Sequence, residues 1–375
     1  MTKKYQVGAY YFPNFHVDPM NEKDHGKGWT EWELVKRATP RFKGHAQPVV
    51  PLWGYADEAD PKVMETKISA AADNCVDFWI FDWYWYEEKT FLGRCLEKGY
   101  MGAKNNDRVK FCLMWANHEW SNIHPVGFSA TPGTLRSGRV DPKQFDRVAD
   151  YIIEKYFRHP SYFCVDGCPY FSVYDIGNMA KGLGSLKAMQ EAFERFRKKT
   201  RAAGFKDLHF NLVVWGAAML PGAIVPADPA ALVRDLGADS VTSYVWVHHV
   251  GLDKAPYTPY EEIRDGYFKY WDKALKMFKV PYYPNVTMGW DSSPRTEQSD
   301  IWEPKGYPFT NIISKNTPAA FKKALALTRE KLEKLNGPRI LNINAWNEWT
   351  EGSYLEPDTK NGMGYLEAIK EIFSK

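Results

Sequence analysis

A chain of 375 residues can bury a large core, and a (β/α)8 barrel absorbs that length as one unit, so residues 1–375 read as a single domain. Its 49 basic and 46 acidic residues nearly cancel, to a net charge of +3, and lie without long single-sign blocks, which excludes the electrostatic footprint of a nucleic-acid binder. The five cysteines lack the paired short spacings of a zinc site, so neither a structural metal nor a disulfide framework is expected, and no apolar run is long enough to span a membrane.

The opening MTKKYQVGAYYFP is charged and has no long apolar stretch of a signal peptide. The chain is therefore expected to be soluble, cytoplasmic as it stands, and periplasmic or secreted if a leader has been removed. Residues 6–12 (QVGAYYF) form the first predicted strand, followed by a long connection over 13–60 and a helix over 61–74. Strands follow at 77–83 (DFWIFDW) and 110–115 (KFCLMW), then a second long connection over 117–140 and a helix over 142–158. A strand at 170–174, a helix over 183–203 and strands at 208–213 and 240–244 come next. A helix over 260–278, a strand at 282–287, a helix over 318–335, a strand at 340–344 and a last helix over 364–374 complete the pattern. Eight strands alternating with helices predict a (β/α)8 barrel of the TIM type with long βα loops. Asp141 before Pro142 and Thr317 before Pro318 are expected N-caps, because a proline in the first turn loses no helical hydrogen bond.

Barrel enzymes assemble their sites from the C-terminal ends of the strands. There this sequence places Tyr11 and His16, Asp82 and Trp83, Asn117, His118 and Glu119, Trp246, Trp290 and Asp291, then Asn347, Glu348, Trp349 and Glu351. Aromatic faces suit the apolar faces of sugar rings, and carboxylates and amides bind hydroxyls, so the set predicts a carbohydrate cleft and a carbohydrate partner. Asp82 stands in an apolar run, where an unpartnered carboxylate is costly to bury, so a ligand contact is expected of it. For residues 117–120 a hydrogen-bonded loop brace is the competing reading. Glu348 and Glu351, three apart, share one face if the backbone turns helically, and glycoside cleavage needs such a pair of carboxyls.

Residues 9–16 (AYYFPNFH), 28–32 (GWTEW), 42–48 (FKGHAQP), 289–295 (GWDSSPR) and 346–357 (WNEWTEGSYLEP) resemble the WbsX family of polysaccharide gene clusters. That family is similar to glycoside hydrolase family 99, the endo-α-mannosidase and endo-mannanase group, whose catalytic pair lies in an N-E-W-x-E-G motif matched here by residues 347–352. The resemblance implies a (β/α)8 barrel and a retaining hydrolase that needs no cofactor. It implies that Glu348 acts as a base on the substrate's own 2-hydroxyl, giving a 1,2-anhydro sugar, and that Glu351 protonates the leaving group and later activates water. The loops carrying Trp29 and Glu31 belong to the WbsX branch and are expected to face substrate. Thr350 stands where the mannosidases usually carry His, so only an α-linked glycan with a free 2-hydroxyl is expected, not mannose. The alternatives are a glycosyltransferase of polysaccharide or lipopolysaccharide biosynthesis and a glycan-binding barrel without catalysis; neither an Asp-x-Asp motif nor a glycine fingerprint favours the former.

Overall fold

The computed structural model describes residues 4–217, 219–221, 223 and 226–374. Nine parallel segments line the barrel: β1 (Gln6–Tyr11), β2 (Phe78–Tyr86), β3 (Lys110–Trp115), β4 (Cys168–Val173), β5 (His209–Val213), β6 (Ser240–Thr242), β7 (Tyr282–Tyr283), β8 (Asn285–Thr287) and β9 (Ile340–Asn344). Each from β1 to β6 pairs with the next, β8 pairs with β9, and β9 returns to β1 with Gln6 opposite Ile340. The expected strand at 282–287 is thus divided. Pro284 has no N–H to give the ladder, so the chain changes partners there: Tyr282 pairs with Val241 of β6 and Asn285 with Asn342 of β9. The Pro284 carbonyl still accepts from the Asn342 amide at 2.9 Å, and the barrel is nearly closed.

Helices occupy the connections: α1 (Pro19–His25), α2 (Trp32–Arg37), α3 (Pro61–Asp73), α4 (Pro142–Ile152), α5 (Ile176–Leu183), α6 (Leu186–Ala202), α7 (Pro229–Asp235), α8 (Tyr260–Met277), α9 (Pro318–Glu333) and α10 (Gly364–Phe373). Asp60, Asp141 and Thr317 cap α3, α4 and α9 from the residue before a proline, and Gln144 closes a capping box with Asp141. The helix expected over 142–158 changes to a π-turn over Ile153–Phe157. The one expected over 183–203 is α6, which begins three residues later, after the separate helix α5. Gly184, with φ of +89°, ends α5, and the Ser185 hydroxyl begins α6 by accepting from the Ala188 amide. The first long loop is ordered by α1 and α2, which are too short to leave a helical period in the sequence.

Large apolar side chains of the strands pack against the helices, whereas part of the interior is polar. The Ser172 hydroxyl donates to Asn211 (2.8 Å), whose amide donates to Ser240 (2.9 Å). Across the barrel the Asn342 amide donates to Thr242 (2.9 Å), which donates to the Tyr283 carbonyl (2.7 Å). A buried polar group is tolerable when bonded in this way. Among the described residues no helix is long and apolar enough to cross a membrane.

Candidate active site

The chain leaving β9 makes a single 3-10 turn, Trp349–Glu351, ended by Gly352 in the left-handed region at φ of +62°. A Cβ on Gly352 would lie 2.7 Å from Asp291 Cβ, so both conformation and space demand glycine. The turn is braced on three sides. Asn347 receives the Phe12 amide and donates to the Phe12 carbonyl and Glu58, each at 2.8 Å. Trp349 donates to Glu356 at 2.8 Å and stacks on Tyr354 with centroids 3.9 Å apart, and the Asp291 amide donates to the Glu351 carbonyl at 2.6 Å. The carboxyls of Glu348 and Glu351 are left facing one cavity.

Arg295 ties that pair to a third glutamate. Its guanidinium donates to Glu351 at 2.6 Å, to Glu31 at 3.0 and 3.1 Å, and to Glu348 at 3.5 Å. Burial pushes the Glu31 carboxyl up, but Arg295, His124 and hydrogen bonds from Thr350 and Asn14 outweigh it and hold Glu31 below the usual range. Glu31 therefore balances the charge of Arg295. The remaining pair is raised: Glu348 well above the carboxylate range by burial and then by the charge of Glu351, and Glu351 by burial, with Arg295 and the Tyr307 hydroxyl (2.6 Å) pulling it back. Tyr244 donates to Glu348 at 2.8 Å and lies 3.0 Å from Asp82, which burial also raises well above its usual range.

The cavity is lined by both glutamates, Arg295 and residues from most strand ends. Of the residues expected at the site it brings together Asp82, His118, Glu119, Trp290, Glu348 and Glu351. Burial lowers His118 to about 4, and His124 and His248, also in the wall, to about 3, so all three are neutral imidazoles.

The other expected residues lie behind the wall. Trp83 points away from its neighbour Asp82, as alternation along β2 requires, and its indole donates to Tyr156 (3.1 Å). Tyr11 donates to Glu58 (2.8 Å). Asn117 exchanges hydrogen bonds with the backbone of Asp175 (2.7 and 2.8 Å), the brace that competed with substrate contact for this loop. Trp246, fully buried, donates to the Asn285 carbonyl (2.8 Å). His16 is fully buried in the first loop, Trp29 is half-buried against His25, and Glu31, Asn347 and Trp349 hold the neighbours described above. Asp291 accepts from His45 and Gln47, each at 2.8 Å, and from the Ser293 amide at 3.0 Å, which fixes the 3-10 turn carrying Arg295. The sequence reading passed over Tyr244, Arg295 and Tyr307 as polar partners of the pair. Tyr244 stood at the end of a predicted strand and Arg295 inside a quoted motif; Tyr307 left no signal.

The family model described as "Glycosyltransferase WbsX" matches residues 7–369. Two curated relatives, the proteins WxcX of Xanthomonas campestris pv. campestris strains B100 and ATCC 33913, are each 28% identical over 383 residues, covering 98% of this chain and 49% of their own length. The chain thus spans about half the length of the curated relatives it matches. Among solved structures, the family 99 endo-α-mannosidase of Bacteroides thetaiotaomicron with bis-tris-propane superposes with a TM-score of 0.60 at 15% identity, over 100% of this chain and 97% of that one. A protein described as glycoside hydrolase-like gives 0.60 at 17% identity, over 99% and 94%. At such identities the likeness establishes the shared barrel fold.

Proposed function

The chain belongs to the WbsX family, and from that premise we propose that it is a retaining glycoside hydrolase acting on an α-linked complex glycan or polysaccharide. One observation carries the reading: two buried carboxyls, three residues apart on one turn, face the same strand-end cavity and share Arg295. Glu348 takes the proton of the substrate's 2-hydroxyl, and that oxygen attacks C1 as the glycosidic bond breaks. Glu351 gives its proton to the departing oxygen. In the second half Glu351 takes a proton from water, the water oxygen opens the 1,2-anhydro ring at C1, and Glu348 returns its proton to O2. Two inversions at C1 give net retention. Glu351 must be accessible in both protonation states, and burial opposed by Arg295 and Tyr307 serves that need. Trp290, Tyr84 and Trp120 of the wall offer flat faces for sugar rings, and His118 and Glu119 offer contacts for hydroxyls. The solved endo-α-mannosidase with the same fold adds weight to the reaction class.

The description of the family favours a second reading, transfer of a sugar to a growing glycan. Incubating the chain with bacterial polysaccharides and α-linked oligosaccharides, without nucleotide sugar, separates the two. Saccharide released by the wild type and not by Glu348→Gln or Glu351→Gln, with an α product seen first by NMR, is the expected result. No cleavage there, with consumption of a nucleotide sugar in a parallel incubation that supplies one with an acceptor, assigns transfer instead. Binding without either leaves a non-catalytic glycan-binding barrel.

A further inference from the structure

Tyr244 stands between two acids, its hydroxyl oxygen 2.8 Å from Glu348 Oε1 and 3.0 Å from Asp82 Oδ2. A phenol has one hydrogen to give. Were both carboxyls ionised, one of them would face the lone pairs of the tyrosine oxygen at hydrogen-bond distance. Both contacts are favourable only if one acid carries a proton and donates it to Tyr244 while Tyr244 donates to the other.

The surroundings decide which. Asp82 is buried, and its second oxygen, Oδ1, has no hydrogen-bond partner among the described residues of the cavity wall. A charge there would leave an anionic oxygen without a donor, whereas a neutral acid leaves only a carbonyl. Glu348 has a donor for each oxygen, Tyr244 on Oε1 and Arg295 Nη2 at 3.5 Å from Oε2. The titratable and charged groups that act on Asp82 or feel its charge are Tyr10, Tyr84, Tyr174, Tyr244, Glu348, Glu351 and Arg295. Burial holds the four tyrosines neutral, and Arg295, the one cation among these described residues, is bonded to the glutamates.

We propose that Asp82 is a neutral acid and a positioning residue: it donates to Tyr244, Tyr244 in turn donates to Glu348, and this ordered string gives Glu348 a donor that favours its anionic form and aims it as the base. The role in turnover rests on the hydrolase reading; the protonation of Asp82 does not. Ionisation of Asp82 at high pH turns the Tyr244 hydroxyl away from Glu348, so activity falls on the alkaline side.

Two variants and one spectrum test this. Asparagine offers an N–H in place of the acid O–H, so Asp82→Asn is expected to cost about threefold in kcat, while Asp82→Leu costs about a hundredfold with KM nearly constant. The alkaline limb of the kcat/KM profile moves upward in Asp82→Asn. If the asparagine variant is as impaired as the leucine variant, Asp82 works as an anion and the inference falls. Infrared spectra of protein carrying carboxyl-13C aspartate, taken at pH 7 without substrate, are expected to show a protonated-carboxyl band that Asp82→Asn removes. Absence of that band overturns the inference whatever glycan is cleaved. Its presence in a protein that cleaves nothing upholds the proton assignment and removes the hydrolase reading.

Discussion

Two buried clusters of acids meet on either side of Asn347, and they are built differently. Behind the turn, Lys67 lies 2.6 Å from Glu58 and 2.5 Å from Glu356, and Tyr11, Asn347 and Trp349 supply further donors to the two glutamates. In front of it, one arginine serves Glu31, Glu348 and Glu351, and Asp82 keeps an unpartnered oxygen in the cavity wall. Burial acts on both clusters alike. The supply of donors separates them: in the rear cluster a lysine and three neutral donors oppose the burial that still raises Glu58, while in the front one a single arginine is shared and burial raises Glu348, Glu351 and Asp82, acids placed to exchange protons.

This contrast can be broken or sharpened by substitution. The largest effect is expected from Glu351→Gln, which lowers kcat on a cleaved glycan about a thousandfold while binding changes little, because the missing proton matters in the transition state. Equal losses of binding and rate would remove the assigned role. Lys67→Met leaves two rear carboxyls without their cation, and urea unfolding is expected to register a loss of about 3–5 kcal/mol. A loss near zero would show that the rear cluster, too, takes up protons. Asp175, cap of α5, is an intermediate case with backbone donors, and burial, opposed by those donors and the charge of Lys181, raises it to about 6. Its folded pKa exceeds the unfolded one, so its contribution is fully present below about pH 4 and is lost as pH rises through about 6. Asp175→Asn, which keeps the cap, is expected to gain about 2 kcal/mol over the wild type at pH 7 and nothing at pH 4 in the same unfolding assay. Tyr307→Phe removes one donor from Glu351; kcat is expected to fall about tenfold, with the limb that reports Glu351 moved to higher pH.

The barrel was legible in the sequence because each strand buries an apolar face under a helix, and that writes a run of large residues into the chain. The division at Pro284 was legible in principle, since a proline inside a strand forfeits a ladder bond. The site was legible only as far as alternation and spacing reach. Glu348, Glu351 and Asp82 stand out because carboxylates at those positions need a reason. Tyr11, Asn117, Asn347 and Trp349 have equally suitable chemistry, yet their polar atoms bond the protein itself; an amide past a strand end reads the same whether its partner is a sugar or a backbone carbonyl. Arg295 and Tyr307 were hidden for the opposite reason: one sits on a three-residue 3-10 turn and the other in irregular chain, where no period reveals which way a side chain points.

Closure of the barrel between Gln6 of β1 and Ile340 of β9 has a consequence for biosynthesis. A nascent chain presents β1 before β9 and must hold that edge unpaired until β9 has left the ribosome, the slowest kind of contact to make. The turn that carries Glu348 and Glu351 follows β9 directly, so the acids acquire their surroundings only when the last gap in the ring is sealed. Assembly of the candidate site is thus tied to completion of the sheet, and a partly made barrel exposes a bare strand edge rather than a formed cleft.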